Sequence, residues 1–102
     1  MRTRKSIDAE GNKVYEIYGP LFFGSTTAFL EKFEPEEDPK VIVLDFRESR
    51  IVDMSAIEAL KKIVEKYENA GKSLTLRHLS SESIVLLEQA KGFLNIPIEK
   101  GS

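Results

Sequence analysis

Residues 41–46, with the sequence VIVLDF, decide the fold of this chain. Five of these six residues are apolar, and the run does not alternate with polar residues as a half-exposed strand would. A continuous apolar run is typical of a strand whose two faces are both buried, which is the usual position in a parallel sheet. The run therefore predicts a central β-strand, followed by a polar turn over residues 47–50.

A long amphipathic helix is predicted after this strand. Its apolar residues recur at the helical period of 3.6, and charged residues occupy the other side. The stripe consists of Ile57, Leu60, Ile63, Val64 and Tyr67. Gly71 is expected just past the helix end, where a left-handed conformation favours glycine. Residues 72–78 then alternate, with Leu74 and Leu76 inward, so strand, helix and strand form a parallel βαβ unit.

Shorter elements are predicted on either side of this unit. Residues 14–18 indicate a strand with Tyr15 and Ile17 on one face, and residues 21–23 a second short apolar strand after the Gly-Pro break. A helix capped by Gly24 or Ser25 should follow and include Phe29 and Phe33. A third helix should begin at residues 80–82 and stop near Gly92. The last apolar residues, Phe93, Leu94, Ile96 and Ile98, suggest a final element in which Pro97 disfavours a central strand.

These elements predict an α/β fold, a mostly parallel sheet of four to five strands packed against three to four helices. The 102 residues leave room for a single domain, spanning residues 1–102. Residues 1–12 are polar, and three of the first five are basic. We expect them to form an arm, a junction to an upstream segment, or simply a frayed terminus.

Composition excludes several classes of site. The chain has no cysteine, a net charge of −2 and one histidine, His78. These features argue against disulfide scaffolds, cysteine-based metal sites and a strongly electrostatic nucleic-acid binder. No apolar stretch approaches the roughly 20 residues of a membrane helix. No nucleophile–base pair or metal-ligand set is visible, so we expect no enzyme, no metal and no obligatory cofactor.

Two helix starts are the candidate sites. Ser55 and Glu58 have the spacing of a capping box, which makes Ser55 the expected cap and leaves Asp53 just outside the helix. A carboxylate there would still be favoured by the helix dipole. The start at Gly24, Ser25 and Thr26 lacks the pattern of a phosphate-binding loop, but its free amides could attract an anion. Capping alone also explains both segments.

The segments GPLFFG at residues 19–24 and VDMSAI at residues 52–57 together resemble the STAS domain, which is best known from sulfate transporters and anti-sigma factor antagonists. The resemblance extends from Val14 to about Ile98 and includes the order of elements. It implies the small α/β fold of the anti-sigma factor antagonists. In that branch the residue directly after the aspartate is the serine or threonine that a kinase phosphorylates. Here that residue is Met54, which cannot accept a phosphate, and Ser55 stands one place later.

The aromatic segment at residues 21–25 resembles instead the cytosolic C-terminal domain of SulP-type anion transporters. This implies a non-catalytic, cytosolic module that regulates transport of sulfate or a related anion through protein contacts, with nucleotide binding proposed for some relatives. Its partners would be the membrane domain of the same polypeptide and regulatory proteins, with no nucleic acid. The basic residues Arg2, Arg4 and Lys5 fit a position just cytoplasmic of a last membrane helix.

The same resemblance leaves a freestanding anti-sigma factor antagonist-like signalling protein as the alternative. In both cases we expect the interaction, ligand or switch region where helices start at the carboxyl ends of parallel strands. That region comprises Asp53, Met54, Ser55 and Ala56, with Gly24, Ser25 and Thr26.

Overall fold

The computed structural model describes residues 1–90 and Ile98. Its elements are four strands, three α-helices and one 3₁₀ turn. In chain order they are β1 (Arg2–Ile7), β2 (Lys13–Tyr18), the 3₁₀ turn (Phe23–Ser25), α1 (Thr26–Leu30), β3 (Val41–Glu48), α2 (Met54–Asn69), β4 (Ser73–Arg77) and α3 (Ser81–Gln89).

The sheet has the strand order β1-β2-β3-β4. As predicted, β3 lies in the middle and is parallel to both neighbours, with Ile42 opposite Lys13 on β2 and opposite Leu74 on β4. β1 is antiparallel to β2 and starts with Arg2 opposite Tyr18. Ile98 forms a parallel bridge with Leu76, and the remaining residues of the predicted final apolar element lie outside the described residues.

The main apolar core lies on one face of the sheet. Alternate strand residues from β2, β3 and β4 point into it, and the predicted stripe of α2 is buried over its whole length. Every residue from Ile42 to Phe46 is buried, which confirms that both faces of β3 are covered. α2 ends as expected: Gly71 is left-handed at φ +76°, and the amide of Lys72 bonds back to the carbonyl of Tyr67.

The N-terminal prediction was wrong for residues 2–7, which form the edge strand β1 instead of an arm. The misleading signal was composition, because an edge strand that is paired on one side needs few apolar residues. The aliphatic stem of Lys5 allows its ammonium to reach both the ring of Tyr15, 5.5 Å away, and Glu34, 3.5 Å away. Charged residues therefore form this strand without an apolar pattern.

Two boundaries also differ from prediction around the Gly-Pro break. Residues 21–23 do not form a strand; only Leu21 makes a bridge, with Ile51, because the 3₁₀ turn begins two residues later. α1 ends at Leu30, so Phe33 lies outside it. Phe33 is nevertheless buried, since its ring packs against Phe29 at 4.9 Å and Tyr15 at 4.7 Å between centroids.

A buried aspartate connects the elements at the amino ends of the parallel strands β2 and β3. Asp38, in the loop before β3, accepts hydrogen bonds of 2.5 Å from both Tyr15 and Tyr67 and one of 3.0 Å from Lys13. Lys72 donates to the backbone carbonyl of the same residue. Burial acts to raise the pKa of Asp38, but these hydrogen bonds and the charge of Lys13 outweigh it and hold that pKa below its usual range.

We predict that Asp38→Asn lowers the free energy of unfolding at pH 7 by about 2–4 kcal/mol, because it leaves Lys13 without its buried counter-charge. The folded-state pKa of Asp38 lies below that of the unfolded chain, so its contribution is complete above about pH 4 and is lost as the pH falls through the folded-state pKa. Urea unfolding at several pH values should therefore show the gap between wild type and variant closing in acid.

The exposed Glu37, one residue earlier, provides the control. Glu37→Gln should change the stability by less than about 0.5 kcal/mol. A gap between wild type and Asp38→Asn that stayed constant from pH 7 into strong acid would contradict this role of the Asp38 charge.

Candidate functional site

The two predicted helix starts meet beyond the carboxyl ends of β2 and β3. There the chain segments leaving these strands run side by side, with Leu21 bridged to Ile51. The amide of Leu21 donates to the carbonyl of Arg50 at 2.9 Å, and the amide of Val52 donates to the carbonyl of Leu21 at 3.0 Å. This short parallel ribbon fixes the positions from which the 3₁₀ turn and α2 begin.

One carboxylate joins the two starts. Oδ1 of Asp53 accepts a hydrogen bond from the amide of Ala56 at 3.0 Å, and Oδ2 accepts one from the amide of Phe23, also at 3.0 Å. Asp53 itself has extended backbone, as an N-cap residue does. The expectation that Ser55 caps this helix was therefore wrong: the helix begins two residues earlier than the capping box requires, and Asp53 occupies the cap.

Ser55 consequently has a different position from the expected one. It is the second residue of α2 and is half-buried, and its hydroxyl has no hydrogen-bond partner within residues 1–90 and Ile98. Met54, the first residue of the helix, is exposed, whereas Ala56 is fully buried. Of the predicted residues on α2, Met54 and Ser55 thus have solvent-accessible side chains.

The segment at Gly24, Ser25 and Thr26 has a structural arrangement of its own. Ser25 is buried and makes no side-chain cap; its Oγ accepts from the amide of Phe22 at 3.1 Å and lies 3.1 Å from the carbonyl oxygen of Pro20. Thr26 donates to the carbonyl of Phe23 at 3.1 Å. Both hydroxyls bond to backbone of the same turn, and α1 has only five residues. Anion binding at this helix start stays a prediction.

Gly24 has a steric role instead. A Cβ atom at this position would lie 2.7 Å from Cε2 of Phe22, so the Phe22 ring folds against the glycine. The backbone of Gly24 is not in the left-handed region, so only this contact, and not the backbone conformation, disfavours a side chain there. The absence of a side chain at Gly24 leaves room for the Phe22 ring beside the turn.

Sequence reasoning missed the apolar surface around these residues. Phe22, Phe23, Val52 and Met54 are all exposed, and we call these four residues the edge patch. Val52 also lines a shallow groove of about 350 Å³ together with Val85 and Leu86 of α3. The consecutive phenylalanines beside a Gly-Pro break were a usable signal, since a turn rarely buries two neighbouring large side chains.

His78 belongs to a separate cluster on β3 and β4. Its Nδ1 lies 3.0 Å from Asp45 and its Nε2 lies 3.1 Å from the guanidinium of Arg47, and its backbone is left-handed at φ 59°. Burial acts to raise the pKa of Asp45, but hydrogen bonds from the Arg47 amide, His78 and Arg77 lower it below its usual range. Among the described residues, no group of His, Cys, Asp or Glu side chains is placed to hold a metal ion.

We predict that Asp53→Ala destabilises the domain by about 1–2 kcal/mol, because it removes the cap of α2 and the bond to the Phe23 amide. Ser55→Ala, two residues away, should cost less than about 0.5 kcal/mol. Thermal and urea unfolding of the two variants would measure both effects. A larger destabilisation by Ser55→Ala than by Asp53→Ala would contradict the capping role of Asp53.

Several known proteins are similar to this chain. The putative sulfate transporter YbaR of Bacillus subtilis is 34% identical over 77 residues, which are 76% of this chain and 16% of YbaR. The chain thus spans about one sixth of that relative's length. In the described part of the chain, no helix has the length and apolar character needed to cross a bilayer.

Two solved structures show the same fold. A sulfate transporter family protein from Wolinella succinogenes is 28% identical with a TM-score of 0.69, covering 92% of this chain and 80% of that one. The STAS domain of an anti-sigma factor antagonist from Rhodobacter sphaeroides is 25% identical with a TM-score of 0.66, covering 74% and 83%. Residues 3–101 match the STAS domain family, and this chain belongs to that family.

Proposed function

We propose that this chain is a non-catalytic STAS module of a SulP-type anion transporter, held on the cytoplasmic side of the inner membrane. In this role it regulates transport of sulfate or a related anion. The contacts with the membrane domain are made by the edge patch and the neighbouring Asp53, at the carboxyl ends of β2 and β3. Similarity to a putative sulfate transporter supports the placement. The observation that carries the proposal is Met54, which stands exposed directly after Asp53, where the signalling branch of the family has its phosphate acceptor.

The geometry of the edge fits a contact surface. The carboxylate of Asp53 ties the two helix starts together, so the backbone under the exposed side chains is held in place before any partner arrives. A preorganised surface loses less conformational entropy on binding than a mobile one. The exposed side chains of the edge patch supply apolar area, and such contiguous patches mark interaction sites more often than isolated apolar residues do.

Sulfate uptake by the full-length transporter tests this function. We predict that Met54→Glu changes the uptake rate at least about twofold, because it buries a charge in the proposed contact. Glutamate is favoured in the first turn of a helix, so the domain should stay folded. Uptake of labelled sulfate, normalised to the amount of transporter in the membrane, is the measurement.

Ile7→Glu is the matched control. Ile7 is an exposed apolar residue beside Lys13, at the amino end of β2, and so lies at the other end of the sheet from Asp53. The control substitution should leave uptake unchanged. If both variants took up sulfate at the wild-type rate, this result would argue against regulation through the edge patch.

A second function is favoured by one observation. The hydroxyl of Ser55 is not used in capping, and a phosphate on the second residue of α2 would lie near the positive end of the helix dipole. This arrangement suits a freestanding signalling protein of the anti-sigma factor antagonist type. Nucleotide binding, which the family resemblance implies for some relatives, stays a prediction.

Incubation with the cognate anti-sigma kinase and ATP, followed by intact mass measurement, separates the two functions. A transporter module should show no added phosphate. One phosphate on the wild type and none on Ser55→Ala would establish the signalling function instead.

A further inference from the structure

The ring of His78 is fixed in position by the carboxylate of Asp45. Its Nδ1 atom lies 3.0 Å from Oδ1 of Asp45, which also accepts from the amide of Arg47 at 2.9 Å, and Oδ2 accepts from Arg77 at 3.2 Å. The lowered pKa of Asp45 keeps this carboxylate ionised at neutral pH, so it offers acceptors only. The hydrogen in the contact with His78 therefore belongs to Nδ1, and in the neutral ring Nε2 carries none.

The guanidinium of Arg47 lies on the face of this ring. Its Nη2 atom is 3.1 Å from Nε2 of His78 and 3.5 Å from Nδ1. An atom this close to both ring nitrogens stands over the ring rather than along the lone pair of one of them. Within residues 1–90 and Ile98, the side chain of Arg47 makes its polar contacts with His78 alone. Guanidinium groups stack on aromatic faces, so the contact is favourable while the imidazole is uncharged.

A proton on Nε2 would reverse the sign of this contact. The ring would then carry a positive charge directly beneath the guanidinium, and two cations at this separation repel each other. Asp45 would bind the charged ring more strongly than the neutral one, because hydrogen bonds between ionised groups are stronger. The ring would therefore keep its place, and the exposed side chain of Arg47 is the group with freedom to move.

The other charged groups around the ring do not hold Arg47 in place. Element by element, the described ones are Arg77 on β4, Glu48 on β3, Glu16 on β2 with Arg4 on β1, and Glu82 on α3. Arg77 is a further cation beside Asp45, and Glu16 lies 3.9 Å from Arg4. Glu82 is in the first turn of α3, where the helix dipole offsets part of its charge. Of the acids, Glu48 lines the same cavity as Arg47.

We propose that the contact between His78 and Arg47 is a proton-sensitive switch. While the ring is neutral, the guanidinium lies on it; when Nε2 gains a proton, the guanidinium leaves the ring and turns into a shallow cavity of about 450 Å³. Histidine is the side chain whose charge changes between about pH 5 and 8. The cavity is also lined by Gly19 and Pro20, which lead into the segment that carries Phe22. Proton uptake thus changes the charge and shape of the surface beside the edge patch.

This inference concerns the chain by itself and does not rest on the proposed function. Proton uptake and the movement of Arg47 are measured without a transporter. Their absence would leave the sulfate uptake prediction intact, and an unchanged uptake by Met54→Glu would leave the switch intact.

Nuclear magnetic resonance of the 102-residue chain between pH 8 and pH 5 is the experiment. His78 is the only histidine, so its ring signals are identified without ambiguity. At pH 8, long-range proton–nitrogen spectra should show the ring hydrogen on Nδ1. As the pH falls, the Nε–H signal of Arg47 and the ring signals of His78 should shift with the same midpoint.

Two arginine variants separate the stacked charge from a general effect of charge. Arg47→Gln should raise the midpoint of the ring titration by roughly half a pH unit or more, the effect of removing a charge about 4 Å away in water. Arg4→Gln is the matched control, because Arg4 is an exposed arginine on β1. Three strand spacings, about 14 Å, separate β1 from β4, which is beyond the screening length of about 8 Å at 0.15 M salt. The control should titrate like the wild type.

A third variant removes the titrating ring and keeps the backbone. His78 is left-handed at φ 59°, a conformation that asparagine tolerates, so His78→Asn should fold, as circular dichroism would check. In this variant the Arg47 signal should stay constant from pH 8 to pH 5. The switch is overturned if the ring hydrogen is found on Nε2 at pH 8, if Arg47→Gln titrates like the wild type, or if the Arg47 signal moves equally in His78→Asn.

Discussion

The two hydrogen bonds that the side chain of Asp53 accepts determine the arrangement at the carboxyl ends of β2 and β3. The two carboxylate oxygens accept from the amides of Phe23 and Ala56, residues that are 33 positions apart in the sequence. One of these bonds begins α2, and the other holds the 3₁₀ turn that leads into α1. A single side chain therefore fixes how two helices leave the sheet, and with them the position of every exposed side chain in the edge patch.

Asp38 connects separate elements at the amino ends of the parallel strands, as Asp53 does at their carboxyl ends, but its hydrogen-bond donors are side chains. Asp53 is bound by backbone amides, whereas Asp38 is buried among two tyrosine hydroxyls and the ammonium of Lys13. The hydroxyl of Tyr67 comes from the last part of α2, so the two aspartates hold the two ends of the same helix. Asp38 is buried whereas Asp53 is half-buried, so the edge patch lies at the more accessible of the two ends of the sheet.

Much of the fold could be predicted because it follows from hydrophobic periodicity. The uninterrupted apolar run of β3 and the stripe of α2 identify a buried strand and its covering helix without any knowledge of tertiary contacts. β1 could not be found this way, because it is held by backbone pairing with β2 and by contacts of Arg4 with Glu16 and of Lys5 with Glu34 rather than by apolar side chains. Local pattern does not reveal pairing of this kind.

For the candidate site, the sequence located the two helix starts but did not give the structural roles of their residues. Serine and aspartate are about equally good caps, so the choice between Ser55 and Asp53 is decided by where the incoming chain leaves its ribbon with Leu21, which is a tertiary contact. The bond from Asp53 to Phe23 is likewise a contact between distant segments. The exposure of both phenylalanines follows from the same turn, which their position just after the Gly-Pro break indicates.

The antiparallel pairing of β1 has a consequence for how the domain is tethered. Because Arg2 lies opposite Tyr18, the polypeptide enters the sheet at the end that displays Phe23, and Met1 lies against Gly19. Any segment fused ahead of Met1 would approach from that side. A short, stiff connection there would hold these aromatic rings toward whatever it joins, whereas a fluorescent protein attached at Met1 would crowd them; a reporter placed in the loop at residues 8–12 would not.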